Sequence, residues 1–150
     1  MIQDGFRSDP ALASQLPMIG ELLAMAVDAA GNARAPYSFY PVGAAVLDDR
    51  GAITGGCNIE SAAFAATLCA ERAAIGAALS GGARGIRACA TVTRDSDPAS
   101  CCGVCRQLLA EFGPEVLVIN ASLTSDRVRW GSIVDWLPFG FGGASLGRGA

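Results

Sequence analysis

The sequence predicts an α/β sandwich in which helices cover a mixed sheet. From residue 42 onward, short apolar stretches suited to strands alternate with longer segments of helical apolar spacing. Gly-, Pro- and Asp-containing punctuation separates them at 48–51, 81–82 and 113–114. The 150 residues are 51% apolar, enough for one packed core, so a single domain spanning 1–150 is expected.

Taken in order, residues 1–10 mix Asp4, Arg7 and Asp9 and are expected to be a loose lead-in. Leu16, Ile19, Leu22, Leu23, Ala26 and Val27 recur at helical spacing before Gly31-Asn32, predicting a packing helix over about Pro17 to Ala30. Pro36 to Pro41 reads as a loop, and its Tyr37, Phe39 and Tyr40 favour a binding surface. Val42 to Leu47 and Ala52 to Ile59 predict a hairpin around Asp48-Asp49-Arg50-Gly51. The small residues Gly43, Ala44 and Ala45 imply close packing on it. Asn58 and Glu60, two apart, share one side of the chain and suit a ligand-facing role; a plain surface pair is the alternative. An alanine-rich helix over Ala73 to Leu79 should end at Gly81-Gly82. Then come a strand from Ile86 to Val92, a polar loop from Thr93 to Ser100, a helix from Val104 to Phe112 and a strand from Val116 to Ile119. Glycine-rich Leu137 to Ala150 is expected to be a mobile tail, loose from about 143, except where Phe139 and Phe141 anchor it.

A net charge of −3 gives no basic stripe for nucleic acid, so a free small molecule is the expected substrate and no nucleic-acid partner is expected. No stretch is long and apolar enough to span a bilayer, and Met1 to Pro10 lacks a signal-peptide core, so no membrane partner is expected and a cytoplasmic location is. The six cysteines cluster partly as Cys-x-x-Cys, which without export signals favours metal binding in a reducing compartment over disulfides.

The chemistry concentrates in Cys69-Ala70-Glu71-Arg72 and Cys102-Gly103-Val104-Cys105-Arg106-Gln107, each opening a predicted helix. Helix N-termini favour thiolates, and two of them could converge on one cation. Cys-x-x-Cys alone also serves redox pairs and structural zinc. The chain has no histidine, which excludes Ser-His-Asp and Cys-His catalysis and restricts any zinc site to Cys, Asp or Glu. Three thiolates, Cys69, Cys102 and Cys105, leave a fourth position open for water, with Glu71 close enough to accept its proton, a hydrolytic arrangement. Arg72 and Arg106 follow the ligands and are expected to donate hydrogen bonds to ligand sulfurs; solvated helix positions are the alternative. Cys57 and Cys89 read as core thiols, and Cys101 has no assigned role.

These residues resemble the cytidine deaminase family, in its small tetrameric class with three zinc cysteines. The likeness lies in Tyr37–Ala44 (YSFYPVGA), Gly56–Glu60 (GCNIE), Cys69–Arg72 (CAER) and Cys102–Gln107 (CGVCRQ), with Leu137–Gly142 (LPFGFG) as a weaker fifth block. The resemblance implies a three-layer α/β/α fold, a homotetramer, and hydrolytic removal of the amino group of cytidine or deoxycytidine in pyrimidine salvage. By similarity Cys69, Cys102 and Cys105 would bind Zn2+ and Glu71 would carry every proton transfer. Asn58 and Glu60 would hold the ribose 3′-hydroxyl, Tyr40 would stand where a phenylalanine usually stacks on the base, and Phe141 would reach a neighbouring subunit's pocket. Tyr40, Ser61 and Phe64 depart from the family's usual Phe, Asn and Tyr, Cys101 replaces a proline, and the tail lacks an acidic residue after Phe-Gly. A deaminase of a modified cytosine nucleoside such as blasticidin S is therefore the alternative within the chemistry. A structural zinc or redox module, with Glu71 as an ordinary helix-start acid, is the alternative outside it.

Overall fold

The computed structural model describes residues 1–147. In chain order the elements are β1 (Gln3–Phe6), α1 (Pro10–Gln15), α2 (Ile19–Gly31), β2 (Gly43–Asp48), β3 (Ile53–Cys57), α3 (Ala70–Ser80), β4 (Ile86–Thr93), α4 (Gly103–Ala110), β5 (Leu117–Ser122), β6 (Arg127–Ser132) and α5 (Ile133–Trp136). Short 3-10 turns occur at Phe64–Ala66 and Gly143–Leu146.

Among the described residues the strands form one sheet in the order β1-β6-β5-β4-β2-β3. Strands β4 and β5 pair in parallel and the other neighbours are antiparallel, so the sheet is mixed, as the sequence predicts. A parallel pair needs a crossover, and α4 lies on it.

Alternation along the strands divides the interior into two layers of side chains. Ala88, Ala90 and Val92 of β4 join Leu12, Leu22 and Leu23 from α1 and α2 on one face. Cys89 joins Ile75, Leu109 and Ile133 from α3, α4 and α5 on the other. The result is the expected three-layer α/β/α arrangement. Helix α2 buries Ile19, Leu22, Leu23, Ala26 and Ala30, the spacing that predicts it.

Two glycines let helices approach both faces of the β2–β3 hairpin. A Cβ on Gly43 would lie 2.0 Å from the carbonyl oxygen of Ala26 in α2, and one on Gly56 would lie 2.4 Å from the backbone nitrogen of Ala74 in α3. Gly56 thus fixes how closely the helix bearing Glu71 sits on the sheet.

The expected loose lead-in is instead structured. Strand β1 pairs with β6 through Gln3↔Trp130 and Asp4↔Arg129, and Arg129 Nε meets Asp4 Oδ1 at 2.6 Å. Asp9 caps α1 by accepting from the Ala11 N–H at 2.8 Å, with Pro10 in the first turn. Gln-Asp-Gly-Phe has no period-two apolar pattern; its pairing partner lies at the other end of the sequence. In the tail, Gly143–Leu146 makes a 3-10 turn where looseness is expected, and residues 148–150 lie outside the described residues. Among the described residues no helix is long and apolar enough to cross a membrane.

Candidate metal centre and pocket

Both β3 and β4 run antiparallel to β2 and so point the same way. The chain leaves the carboxyl ends of these two strands for α3 and α4, where open α/β sheets place their ligands. Reciprocal backbone hydrogen bonds between Ile59 and Leu68, each 2.9 Å, close the first connection and deliver Cys69. The second connection is held from β5 and its following turn: Cys101 N–H donates to Asn120 Oδ1 at 2.9 Å, and Ser125 Oγ donates to the Ser96 carbonyl at 2.7 Å.

Cys69 and Cys102 occupy the N-cap positions of α3 and α4. The Sγ atoms of Cys69 and Cys102 are 3.7 Å apart, those of Cys102 and Cys105 3.5 Å, and all three lie within 4.8 Å of one another. A disulfide would need about 2.05 Å. Tetrahedral zinc with Zn–S bonds of about 2.3 Å spaces its sulfurs by about 3.8 Å, so this donor set fits zinc.

Burial and mutual crowding act on the three thiols together. Burial pushes the Cys69 thiol up, as does the negative charge of Cys102. Burial likewise drives Cys105 far above its ordinary value, with Glu71 and the neighbouring thiols adding to the shift. Cys102 is the exception: burial pushes it up, but the Cys105 N–H and the thiols of Cys105 and Cys69 outweigh that and hold it below its ordinary value. Cys101, buried beside them, is raised to about 12 by burial and then by Glu71, which leaves it a neutral packed thiol.

Glu71, in the first turn of α3, is 3% exposed. Its Oε1 accepts from Thr91 Oγ1 at 3.2 Å, and Oε2 lies 3.4 Å from Cys105 Sγ. Above it opens a cavity of about 210 Å3 lined by Tyr40, Asn58, Glu60, Thr93 and Cys102 among others. The structure therefore brings Cys69, Cys102, Cys105, Glu71, Tyr40, Asn58 and Glu60 to one place.

Asn58 and Glu60 line the cavity, yet their polar atoms are engaged by the chain itself. Asn58 Oδ1 accepts from Val42 N–H at 2.9 Å and its Nδ2 donates to the Tyr40 carbonyl at 3.0 Å. Glu60 Oε2 accepts from the N–H groups of Tyr37 at 2.9 Å and Ser38 at 3.1 Å, and its Oε1 accepts from the Ser38 hydroxyl. The Ser38 hydroxyl and the Tyr37 N–H hold the Glu60 carboxyl below its ordinary value. Both residues thus set the conformation of the aromatic loop. Tyr40 donates its hydroxyl to the Asp95 carboxylate; burial, then Asp95, raises the phenol above its ordinary value.

Among the described residues neither arginine donates to a ligand sulfur. Arg72 Nη2 donates to the Thr67 carbonyl at 2.7 Å, and its Nε is buried without a partner. Arg106 Nε and Nη1 donate to the carbonyls of Cys101 at 3.0 Å and Trp136 at 2.9 Å. Backbone carbonyls outcompete the thiols because they are strong acceptors close at hand. Phe141 is exposed, with its carbonyl accepting from Gln107 Nε2 at 2.7 Å. Of the two expected core thiols, Cys89 is buried, while Cys57 is only half-buried, its Sγ 3.4 Å from the Asn32 carbonyl.

Thr91, Thr93, Asp95 and Asn120 also stand at or beside the site, and no sequence motif marks them. Asn120 carries a usable signal, a lone amide inside the apolar run Val116–Ala121. The threonines carry none, because Thr is a good strand former whatever its hydroxyl does.

A three-thiol cluster beside a buried carboxylate, on an α/β/α sandwich, defines the zinc-binding class of deaminase folds. Residues 18–121 match the family model described as the cytidine and deoxycytidylate deaminase zinc-binding region, and the chain belongs to that family. It is 47% identical to a cytidine deaminase of Sporosarcina psychrophila over 94 residues, 63% of this chain and 69% of that one. It is 39% identical to a cytidine deaminase of Mycobacterium tuberculosis over 123 residues, 82% of this chain and 89% of the relative. The crystal structure of cytidine deaminase from Burkholderia pseudomallei superposes with a TM-score of 0.76 at 38% identity, covering 81% of this chain and 98% of the other.

Proposed function

We propose that the protein is a zinc-dependent cytidine deaminase: water replaces the C4 amino group of cytidine or deoxycytidine, giving the uracil nucleoside and ammonia. The observation that carries this reading is the buried Glu71 carboxylate facing three convergent thiols at the floor of a small cavity. Cys69, Cys102 and Cys105 would hold zinc, which would supply the Lewis acidity that activates a water as nucleophile near neutral pH.

The chain's own residues do the rest. Glu71 accepts the proton of the attacking water, returns it to N3 of the base, and carries a second proton to the departing amine. Its burial keeps bulk water from competing for those protons. Tyr40, Asn58 and Glu60 line the cavity; by the family resemblance the Tyr40 ring would stack on the base, and Asn58 and Glu60, which shape the adjoining loop, would meet the ribose. Both charged lining residues, Glu60 and Glu71, are acidic, and the chain carries a net charge of −3, which supports a free nucleoside rather than a polynucleotide as substrate. Exposed Phe64, Phe139 and Phe141 suit burial in a homotetramer whose neighbours complete each site. Free thiols at the site fit a reducing cytoplasm.

The test is ultraviolet absorbance of zinc-loaded protein with cytidine, deoxycytidine and modified cytosine nucleosides, with Glu71→Gln as control. Loss of cytidine absorbance in wild type and not in the control is expected. The Tyr40–Asp95 hydrogen bond adds polarity at the cavity and favours one second reading, a modified nucleoside as the substrate; inert cytidine beside a reacting analogue would establish it.

A further inference from the structure

Strand β4 places two threonines, Thr91 and Thr93, at the cavity, beyond the packed thiol of Cys89. Thr91 is 2% exposed, and its hydroxyl reaches Glu71 Oε1 at 3.2 Å. The two oxygens of Glu71 therefore stand in different places. Oε1 is turned toward the sheet and Oε2 toward Cys105 Sγ at 3.4 Å. Among the described residues, these are the side-chain donors that the Glu71 carboxylate has. A cysteine that ligates zinc is a thiolate and has no proton to give, so Thr91 is then the donor that remains.

We propose that Thr91 is a positioning residue: its hydroxyl anchors Glu71 Oε1 and thereby reserves Oε2 as the oxygen that moves protons at the metal cluster. This rests on the deaminase reading of the site. A carboxylate on two rotatable side-chain bonds above its Cβ has many orientations, and proton transfer needs one of them within hydrogen-bond reach of the reacting atoms. A fixed β-branched residue on a central strand is a rigid place from which to select it. The alternative is that Glu71 merely satisfies a strand threonine that is present for its packing. The two accounts differ in what the hydroxyl, as distinct from the side chain's shape, contributes to turnover.

Thr91→Val keeps the branched shape and deletes the donor, while Thr91→Ser keeps the donor and deletes a methyl group. With cytidine as substrate, Thr91→Val should lower kcat roughly 10- to 100-fold with KM within about twofold of wild type. Thr91→Ser should recover kcat to within roughly threefold. Zinc content by elemental analysis should be the same in all three proteins. Unchanged kcat in Thr91→Val, equal losses in the Val and Ser variants, or loss of zinc from the Val variant would each overturn the proposal. Should Thr91→Val fail to fold, Thr91→Ala against Thr91→Ser makes the same comparison. A crystal structure of the zinc-loaded wild type supplies a readout independent of activity: Glu71 Oε1 bonded to Thr91 supports the assignment, and a carboxylate turned away from Thr91 ends it. If wild type deaminates no cytosine nucleoside, the deaminase reading fails by itself, while the crystallographic distance still decides the Thr91 contact.

Discussion

Cys69 and Cys102 are separated by 33 positions in sequence and 3.7 Å at sulfur, each at the N-cap of its helix. A cation between them would tie α3 to α4 at the floor of the cavity. Binding to the folded state alone raises stability in proportion to the logarithm of ligand concentration. Stripping zinc with a strong chelator should therefore abolish turnover and lower Tm, and added zinc should restore both. Cys102→Ala should bind zinc at least roughly 10-fold more weakly. Calorimetry and metal analysis would check this; a Tm indifferent to zinc would refute the tie.

Arg106 joins the same helix to α5. Its guanidinium donates at 3.0 Å to the Cys101 carbonyl, just before the metal pair, and at 2.9 Å to the Trp136 carbonyl at the end of α5. Two carbonyls approached by one fork suit arginine's planar geometry, which the single ammonium of lysine does not reproduce. Arg106→Ala should cost about 2 kcal/mol of stability, and Arg106→Lys should recover less than half of it, measured by denaturant unfolding. Full recovery in the lysine variant would mean that charge rather than the fork holds the contact.

The three-thiol cluster is legible because its chemistry is local: Cys-Ala-Glu and Cys-x-x-Cys each open a helix, and both helices punctuate themselves with glycine. The partners of Arg72 and Arg106 were not, since spacing names the helix but not which acceptor lies nearest. Carbonyls of Thr67, Cys101 and Trp136, set by tertiary packing, take the guanidiniums. Strand β1 was illegible for a related reason: it is a strand only because β6 stands beside it. For β6 itself a signal existed, as buried Val128 and Trp130 alternate with Arg127 and Arg129, though the arginines disguise a strand whose other side meets acidic partners. Thr91 and Glu71 lie 20 positions apart, and nothing in either segment announces the contact.

The aromatic loop hangs on Glu60, and this makes its order pH-dependent. Glu60 accepts from Tyr37, Ser38 and the Ser38 hydroxyl, and those bonds favour the ionised carboxylate, so its folded value lies below the ordinary one. A depressed carboxylate contributes its anchoring fully above its unfolded value, about 4.3, and loses it as pH falls through the depressed folded value. Tyr40 is also held by Asn58 from below, so loosening should be partial and confined to residues 37–39. Glu60→Gln replaces an acceptor of several N–H and O–H bonds by a neutral amide, one arm of which donates instead. Near neutral pH this variant should exchange the Tyr37 and Ser38 amides faster than wild type and raise KM roughly 10-fold, with a smaller change in kcat. Wild type should show the same faster exchange only on acidification below the ordinary carboxylate range, while β4 amides stay protected in both. Equal protection of Tyr37 and Ser38 in the two proteins near neutral pH would show that the loop is ordered by its aromatic contacts, and that the Glu60 carboxylate is free to meet the substrate.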